Sequence, residues 1–277
     1  MAKIFLKTLI RSIIRHNIGY LAAVISYFAF TSMIPVALLL IYGTSLFISG
    51  TRVEQFFDQL LESYIPTMPN GEGVVSTTIH RLSTLGPVIS VIGFASLLWG
   101  SIGGFTSLQQ TLDTICETHH RRSFIKQYVV GFGMLGLLMA MIFVSLLVTT
   151  VSPEVVSALG NLRPTLWVPL AHASSRILFA ITLFATCYFA YRFLPSNPLP
   201  HTALLIGAAV STICIYISRE LFVVYTHHLG NYELIYGALT YIMLFSFWIY
   251  IASIIFLFGM EMALAVYEVM RQRSRSE

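Results

Sequence analysis

The chain has 277 residues, of which 56% are hydrophobic and 10% are charged, against about 25% charged in an ordinary soluble domain. That apolar share exceeds what a soluble core can hide, which excludes a water-soluble enzyme or binding module and predicts an all-α, polytopic membrane protein. The formal net charge is +4, but the basic residues gather at the ends of apolar segments rather than along a stripe, so topology accounts for them and nucleic acid does not.

Residues 1–16 read as an amphipathic helix. Leu6, Leu9, Ile10, Ile13 and Ile14 share one face, and Lys3, Lys7, Arg11 and Arg15 the other, a pattern that anionic lipids hold at the cytoplasmic surface. The first long apolar run begins only after this stretch, so it serves as its own insertion signal rather than as a cleaved leader. Ile18 to Ile48 carries no charge and is longer than a bilayer needs, with Pro35 placed to kink it.

The loop that follows, residues 51–85, contains a second amphipathic pattern. Val53, Phe56, Phe57, Leu60, Leu61 and Tyr64 oppose Glu54, Asp58 and Glu62, as in a helix lying flat on the outer surface. Five further spans follow: Pro87 to Leu112, Tyr128 to Val151, Leu170 to Leu194, Thr202 to Tyr225 and Leu234 to Val266. Residues 268–277 form a basic tail, and the whole of 1–277 is one six-span domain with interfacial helices.

Lys and Arg fall unevenly on alternate sides. The N-terminus, the second and fourth loops and the tail hold Lys3, Lys7, Arg11, Arg15, Arg121, Arg122, Lys126, Arg192, Arg271, Arg273 and Arg275. The opposite side holds Arg52, Arg81 and Arg163. This bias predicts both termini in the cytoplasm.

Ionisable groups inside spans cost several kcal/mol unless paired or hydrated, so they are the first candidates for function. They are Arg176, Arg219, Glu220 and Glu261. Arg176, Arg219 and Glu220 lie at similar depth in the fourth and fifth spans. One reading pairs Glu220 with Arg176 and turns Arg219 toward a hydrated cavity that receives an anionic headgroup or solute; the other has both arginines snorkel to the interface with Glu220 as a structural partner. Glu261 is an interfacial carboxylate or part of an inner gate. Asn231, Tyr232 and Tyr236, with Gly230, make an outer turn with aromatic-belt character.

Gly100 and Gly104 stand in GxxxG register and predict close helix packing, with an unwound, ligand-lining break at Gly103 and Gly104 as the alternative. The segment beyond them, Thr106 to Asp113, is polar enough to face the interior or the inner interface. Cys116, Cys187 and Cys214 have no metal-ligand or redox spacing, and the pairs His119–His120 and His227–His228 read as solvated loop residues. No hydrolase elbow, zinc-protease motif or phosphate loop occurs, so no catalytic residue, metal or cofactor is expected.

Five stretches together resemble the YihY/virulence factor BrkB family of bacterial inner-membrane proteins: LAAVISYFAFTSMIPVALLL (Leu21 to Leu40), LWGSIGGFTSLQQTLDTI (Leu98 to Ile115), YRFLP (Tyr191 to Pro195), GNYELIYGAL (Gly230 to Leu239) and FWIYIASIIFLFGMEMALA (Phe247 to Ala265). The resemblance covers nearly the whole chain and implies a six-helix protein of the inner membrane. Members have carried the labels ribonuclease, serum-resistance factor and permease. The chain departs from the family's common pattern at Asp113, where Asn is usual, and at His201, where Trp often stands. On these grounds the expected function is a permease or exporter of an envelope-related anionic or amphipathic molecule, with a lipid as one candidate. A non-transporting membrane scaffold is the alternative, and an RNA or lipid hydrolase comes third. Expected partners are membrane lipids, and an envelope protein or a second copy of the chain is left open.

Overall fold

The computed structural model describes residues 2–45, 87–118, 122–159, 164–197, 199–227 and 238–276, with the side chains of 2–8, 33–34, 37–45, 87–94, 96–97, 142–178, 227, 238–239, 241 and 273–276 outside that description. The 51–85 loop with its amphipathic pattern, the His119–His120 pair, His228, Asn231, Tyr232 and Tyr236 all lie outside the described residues. The described residues are α-helical without a strand: α1 (Ala2–His16), α2 (Ile18–Ser45), α3 (Pro87–Ile115), α4 (Phe124–Leu159), α5 (Pro164–Phe193), α6 (His201–His227) and α7 (Ala238–Ser276).

Helices α2 to α7 have 27 to 39 residues each, enough at 1.5 Å per residue to cross about 30 Å of hydrocarbon. Among the described residues, Phe124–Met141, His201–Thr226 and Ile242–Gln272 meet length and hydropathy requirements for a span by themselves. Leu9–His16 with Ile18–Ser32 would make a fourth, but the two parts are bent by 56°. The basic face of α1 argues against its crossing with α2. Large apolar side chains such as Ile125, Val129, Ile213, Leu221, Met243 and Phe247 stand exposed on α4, α6 and α7, as suits a surface solvated by lipid tails.

The six long helices close a ring in chain order, each against the next, and α7 returns to α2. Helix α7 also touches α1 and α3, which makes it the post around which the bundle is organised. Two crossings explain how backbones come so close. At α2–α3, a methyl added at Gly104 would lie 2.5 Å from Ser32 Oγ, and one at Gly100 would lie 3.0 Å from the Pro35 ring. Helix α3 runs unbroken through Gly103 and Gly104, so there is no unwound break, and of the two Gly104 serves packing. At α6–α7, Gly207 meets Gly259, beside Ala203, Ala208 and Ala263, all buried.

The hairpin between α1 and α2 turns on one residue. Asn17 has φ 49°, a left-handed conformation that Asn tolerates better than most side chains, and its carbonyl starts α2 by accepting from the amides of Tyr20 and Leu21. The turn splits the apolar stripe of α1. Leu9 and Ile13 pack toward the bundle, whereas Ile10 and Ile14 remain exposed, placed to contact the lipid interface.

Candidate functional site

One end of the bundle gathers α1, the α3–α4 turn, the α5–α6 turn and the C-terminal half of α7. Between them is a cavity of about 660 Å³ lined by Arg11, Arg15, Glu117, Asn197, Glu268 and Arg271, with Ser12, Cys116 and Tyr267 also on its wall. Three guanidinium groups outnumber two carboxylates. A pocket of that size and charge suits an anionic group.

The wall of this cavity is held by polar contacts distant in sequence. Glu261, on α7, has no exposed surface, and its Oε1 lies 2.5 Å from His16 Nδ1 at the end of α1. The other imidazole nitrogen, Nε2, is 3.3 Å from Glu117 Oε1, which also accepts from Arg15 Nη1 at 2.9 Å. Two helices and a turn therefore meet at one histidine.

Glu117 is placed there by an unusual helix end. The amide of Thr118 donates to the Asp113 carbonyl and that of Glu117 to the Thr114 carbonyl, the pattern of a Schellman cap, in which the penultimate position is normally glycine. Glu117 occupies it at φ 49°, a conformation costing a non-glycine residue about 1 kcal/mol. What the side chain gains is the contact with Arg15 and His16.

Beside it, Asp113 fixes the α5–α6 turn. Its Oδ1 accepts from the Ser196 amide at 2.6 Å and its Oδ2 from the Ser196 hydroxyl at 2.8 Å. Arg122 caps the end of α5, donating through Nη1 to the carbonyls of Phe193 and Leu194 and through Nη2 to that of Pro195. These carbonyls have no partner within the helix, so a guanidinium fork there satisfies them and opposes the negative end of the dipole. Burial, reinforced by the Asp113 and Glu261 carboxylates, pushes the Cys116 thiol up to about 12.

Above the cavity, Tyr191 is fully buried; its hydroxyl lies 2.7 Å from Ser211 Oγ and 2.5 Å from the Phe256 carbonyl, which accepts from it. Gln109, one helical turn from Asp113 on α3, is buried with neither amide atom meeting a protein partner. The polar run of α3 is thus divided. Gln109 and Asp113 are buried inward, whereas Gln110, Thr111 and Thr114 line an open groove of about 330 Å³ with Tyr20 and Phe28 of α2.

The ionisable residues expected to act lie in two places. Glu261 lies buried behind the basal cavity, bonded to His16, and does not line it. Arg219 and Glu220, on α6, bond to each other, Arg219 Nη1 donating to Glu220 Oε1 at 3.1 Å, and the Arg219 guanidinium sits 5.6 Å from the centre of the Phe179 ring. Neither lines the two cavities described, and the side chain of Arg176 lies outside the described residues. Sequence reading passed over His16 and Glu117. The only hint was a histidine followed by Asn17 where a basic amphipathic helix meets the first apolar run.

Among the described residues no group of three or more His, Cys, Asp or Glu is arranged to hold a metal ion. No solved structure matches the chain. Curated relatives include UPF0761 membrane proteins from Pseudoalteromonas atlantica, 22% identical over 99% of this chain and 89% of that one, and from Alteromonas mediterranea, 25% identical over 93% and 85%. Another, from Alkalilimnicola ehrlichii, is 24% identical over 91% of this chain, which spans only 56% of that relative's length. A family model described as virulence factor BrkB matches residues 9–277, so the chain, whose helices and lipid-facing surface are those of a membrane protein, belongs to the BrkB family.

Proposed function

We propose that the protein is an inner-membrane permease or exporter for an anionic amphipathic molecule of the cell envelope, with a lipid as the leading candidate. The observation that carries this reading is the arginine-lined cavity of about 660 Å³ at the end of the bundle where the basic segments collect. In this reading that end and both termini face the cytoplasm, which the positive-inside bias supports. The guanidinium groups of Arg11, Arg15 and Arg271 would take the headgroup, while the neighbouring exposed Ile10 and Ile14 would let acyl chains stay in the leaflet. The buried amide of Gln109 supports a polar interior above the cavity.

The test is translocation in proteoliposomes of phosphatidylethanolamine and phosphatidylglycerol, following acyl-labelled phosphatidylglycerol by its accessibility to a membrane-impermeant quencher. Protein-dependent movement that falls about fivefold or more in Arg11→Gln/Arg271→Gln is expected, each lost charge-assisted contact weakening headgroup binding. No movement above protein-free vesicles would sink the reading. A non-transporting scaffold is the second reading, favoured by the glycine crossings at Gly104 and Gly207, which resist opening of the bundle.

A further inference from the structure

The two ring nitrogens of His16 both face carboxylate oxygens, Nδ1 toward Glu261 and Nε2 toward Glu117. A hydrogen bond at each end of an imidazole needs a proton in each, and a neutral imidazole between two carboxylates carries one. The bridge therefore forms in full only when it holds a second proton. Whether that proton rests on Nδ1 or on the Glu261 carboxyl, the count is the same.

Charge balance leads to the same conclusion. With the second proton, Arg15 and the bridge offset Glu117 and Glu261; without it one negative charge is uncompensated, which is costly at the fully buried Glu261, while Arg15 and Glu117 remain open to solvent. The other groups facing the cluster do not supply the missing charge. Asp113 is engaged with Ser196, Ser12 and Cys116 are neutral neighbours, and Glu268, which shares the cavity lining with Arg11 and Arg271, adds a further negative charge near Glu261. Glu261 Oε2 is buried without a hydrogen bond, so the carboxylate relies on His16 first and on the neighbouring Ser12 hydroxyl second.

The bridge also sits where motion would matter. His16 immediately precedes Asn17, the single left-handed residue on which α1 turns by 56° against α2, and α1 contributes Arg11, Ser12 and Arg15 to the cavity wall. We propose that His16, joining Glu261 to Glu117, is a proton-binding site whose proton locks α1 across the basal cavity, so that its loss frees α1 and opens the cavity to exchange. The lock stands on this geometry alone; its use in substrate exchange rests on the permease reading above.

The sign follows from the proton count: the lock is intact at low pH, where the bridge holds its second proton, and released at high pH, where it does not. Hydrogen exchange of the amides of residues 9–21, in the full-length protein in lipid nanodiscs and corrected for intrinsic exchange, reads it directly. Between about pH 5 and about pH 9, protection in the wild type is expected to fall about tenfold as the bridge is lost. His16→Gln and Glu117→Gln should show no such step. Glu117 is half exposed, so its replacement keeps the test informative even where His16→Gln fails to fold.

A flat wild-type profile, or the same step in Glu117→Gln, would overturn the lock. Binding of dihexanoyl phosphatidylglycerol measured on the same samples separates the two claims. Binding that is equal at both pH values, despite the step in exchange, overturns the coupling to substrate. No binding at either pH, with the step intact, overturns the permease reading and leaves the lock supported.

Discussion

Gly207 and Gly259 face each other across α6 and α7 so closely that a methyl group on Gly207 would stand 2.5 Å from the Gly259 carbonyl oxygen. A methyl on Gly259 would overlap Ser211 Oγ and crowd the Tyr191 hydroxyl. The missing side chain is what admits the Tyr191–Ser211 hydrogen bond into the interior. Gly259→Ala should therefore displace a buried hydroxyl as well as push two helices apart. A cost of about 1–3 kcal/mol is expected from overpacking, visible as a lower melting temperature in detergent. Ser211→Ala should suppress part of that loss, because the hydroxyl that the methyl overlaps is then gone, and the two substitutions together should be less than additive.

Glycines of α3 separate into two kinds. Gly104→Ala meets Ser32 Oγ, whose hydroxyl already donates to the Phe28 carbonyl, and neither side can yield cheaply. Around Gly103, in contrast, no atom lies within 4 Å of an added methyl. Gly103→Ala should thus be neutral or stabilising by up to about 1 kcal/mol through helix propensity, whereas Gly104→Ala should destabilise. Thermal melts of the two variants side by side check the contrast; equal losses would contradict the packing described.

That contrast marks what was legible from the amino acids. The GxxxG register of Gly100 and Gly104 signalled a close approach because small residues four apart share a helix face, and the six apolar runs each fell on one long helix, exact at Pro87 but eight to ten residues short at Leu159 and Ser276, where the helices run on past the apolar stretch. Partners were not legible. His16 and Glu261 are 245 positions apart and Asp113 and Ser196 83 apart, and no periodicity encodes which helix ends meet when a ring of helices closes. Glu261 stood out only as a charge in an apolar run. Its histidine did not, because one His at a helix end is ordinary.

Arg122 offers a test of how much a single side chain orders the basal end. It donates to three consecutive carbonyls, those of Phe193, Leu194 and Pro195, while Asp113 takes both donors of Ser196 next in the chain. Arg122→Ala leaves these acceptors without the fork and should cost about 2 kcal/mol. Arg122→Lys should recover less than half, because an ammonium is a point charge that cannot bridge three oxygens at once. Asp113→Asn should be milder than Asp113→Ala, since the amide oxygen can still accept from the Ser196 amide and its NH₂ can donate to the Ser196 hydroxyl. Hydrogen exchange of residues 194–204 reads both series, and an Arg122→Lys variant indistinguishable from wild type would remove the geometric argument.

Cys116 lines the basal cavity yet should behave as an unreactive thiol. Alkylation requires the thiolate, and burial together with the Asp113 and Glu261 carboxylates holds its proton to about 12. A raised thiol value means the neutral form persists through the whole physiological range. At pH 8 the thiolate fraction is then about one in ten thousand, so maleimide labelling of Cys116 in the folded protein should be slower by orders of magnitude than in the same protein unfolded in denaturant. Peptide mapping by mass spectrometry gives the answer for Cys116 alone. Replacing Asp113 with Asn removes one of the two nearby negative charges and should speed labelling modestly while burial keeps it slow, because desolvation is the largest of the three causes. Fast labelling of the folded wild type would mean that the carboxylates around Cys116 do not enclose it as described.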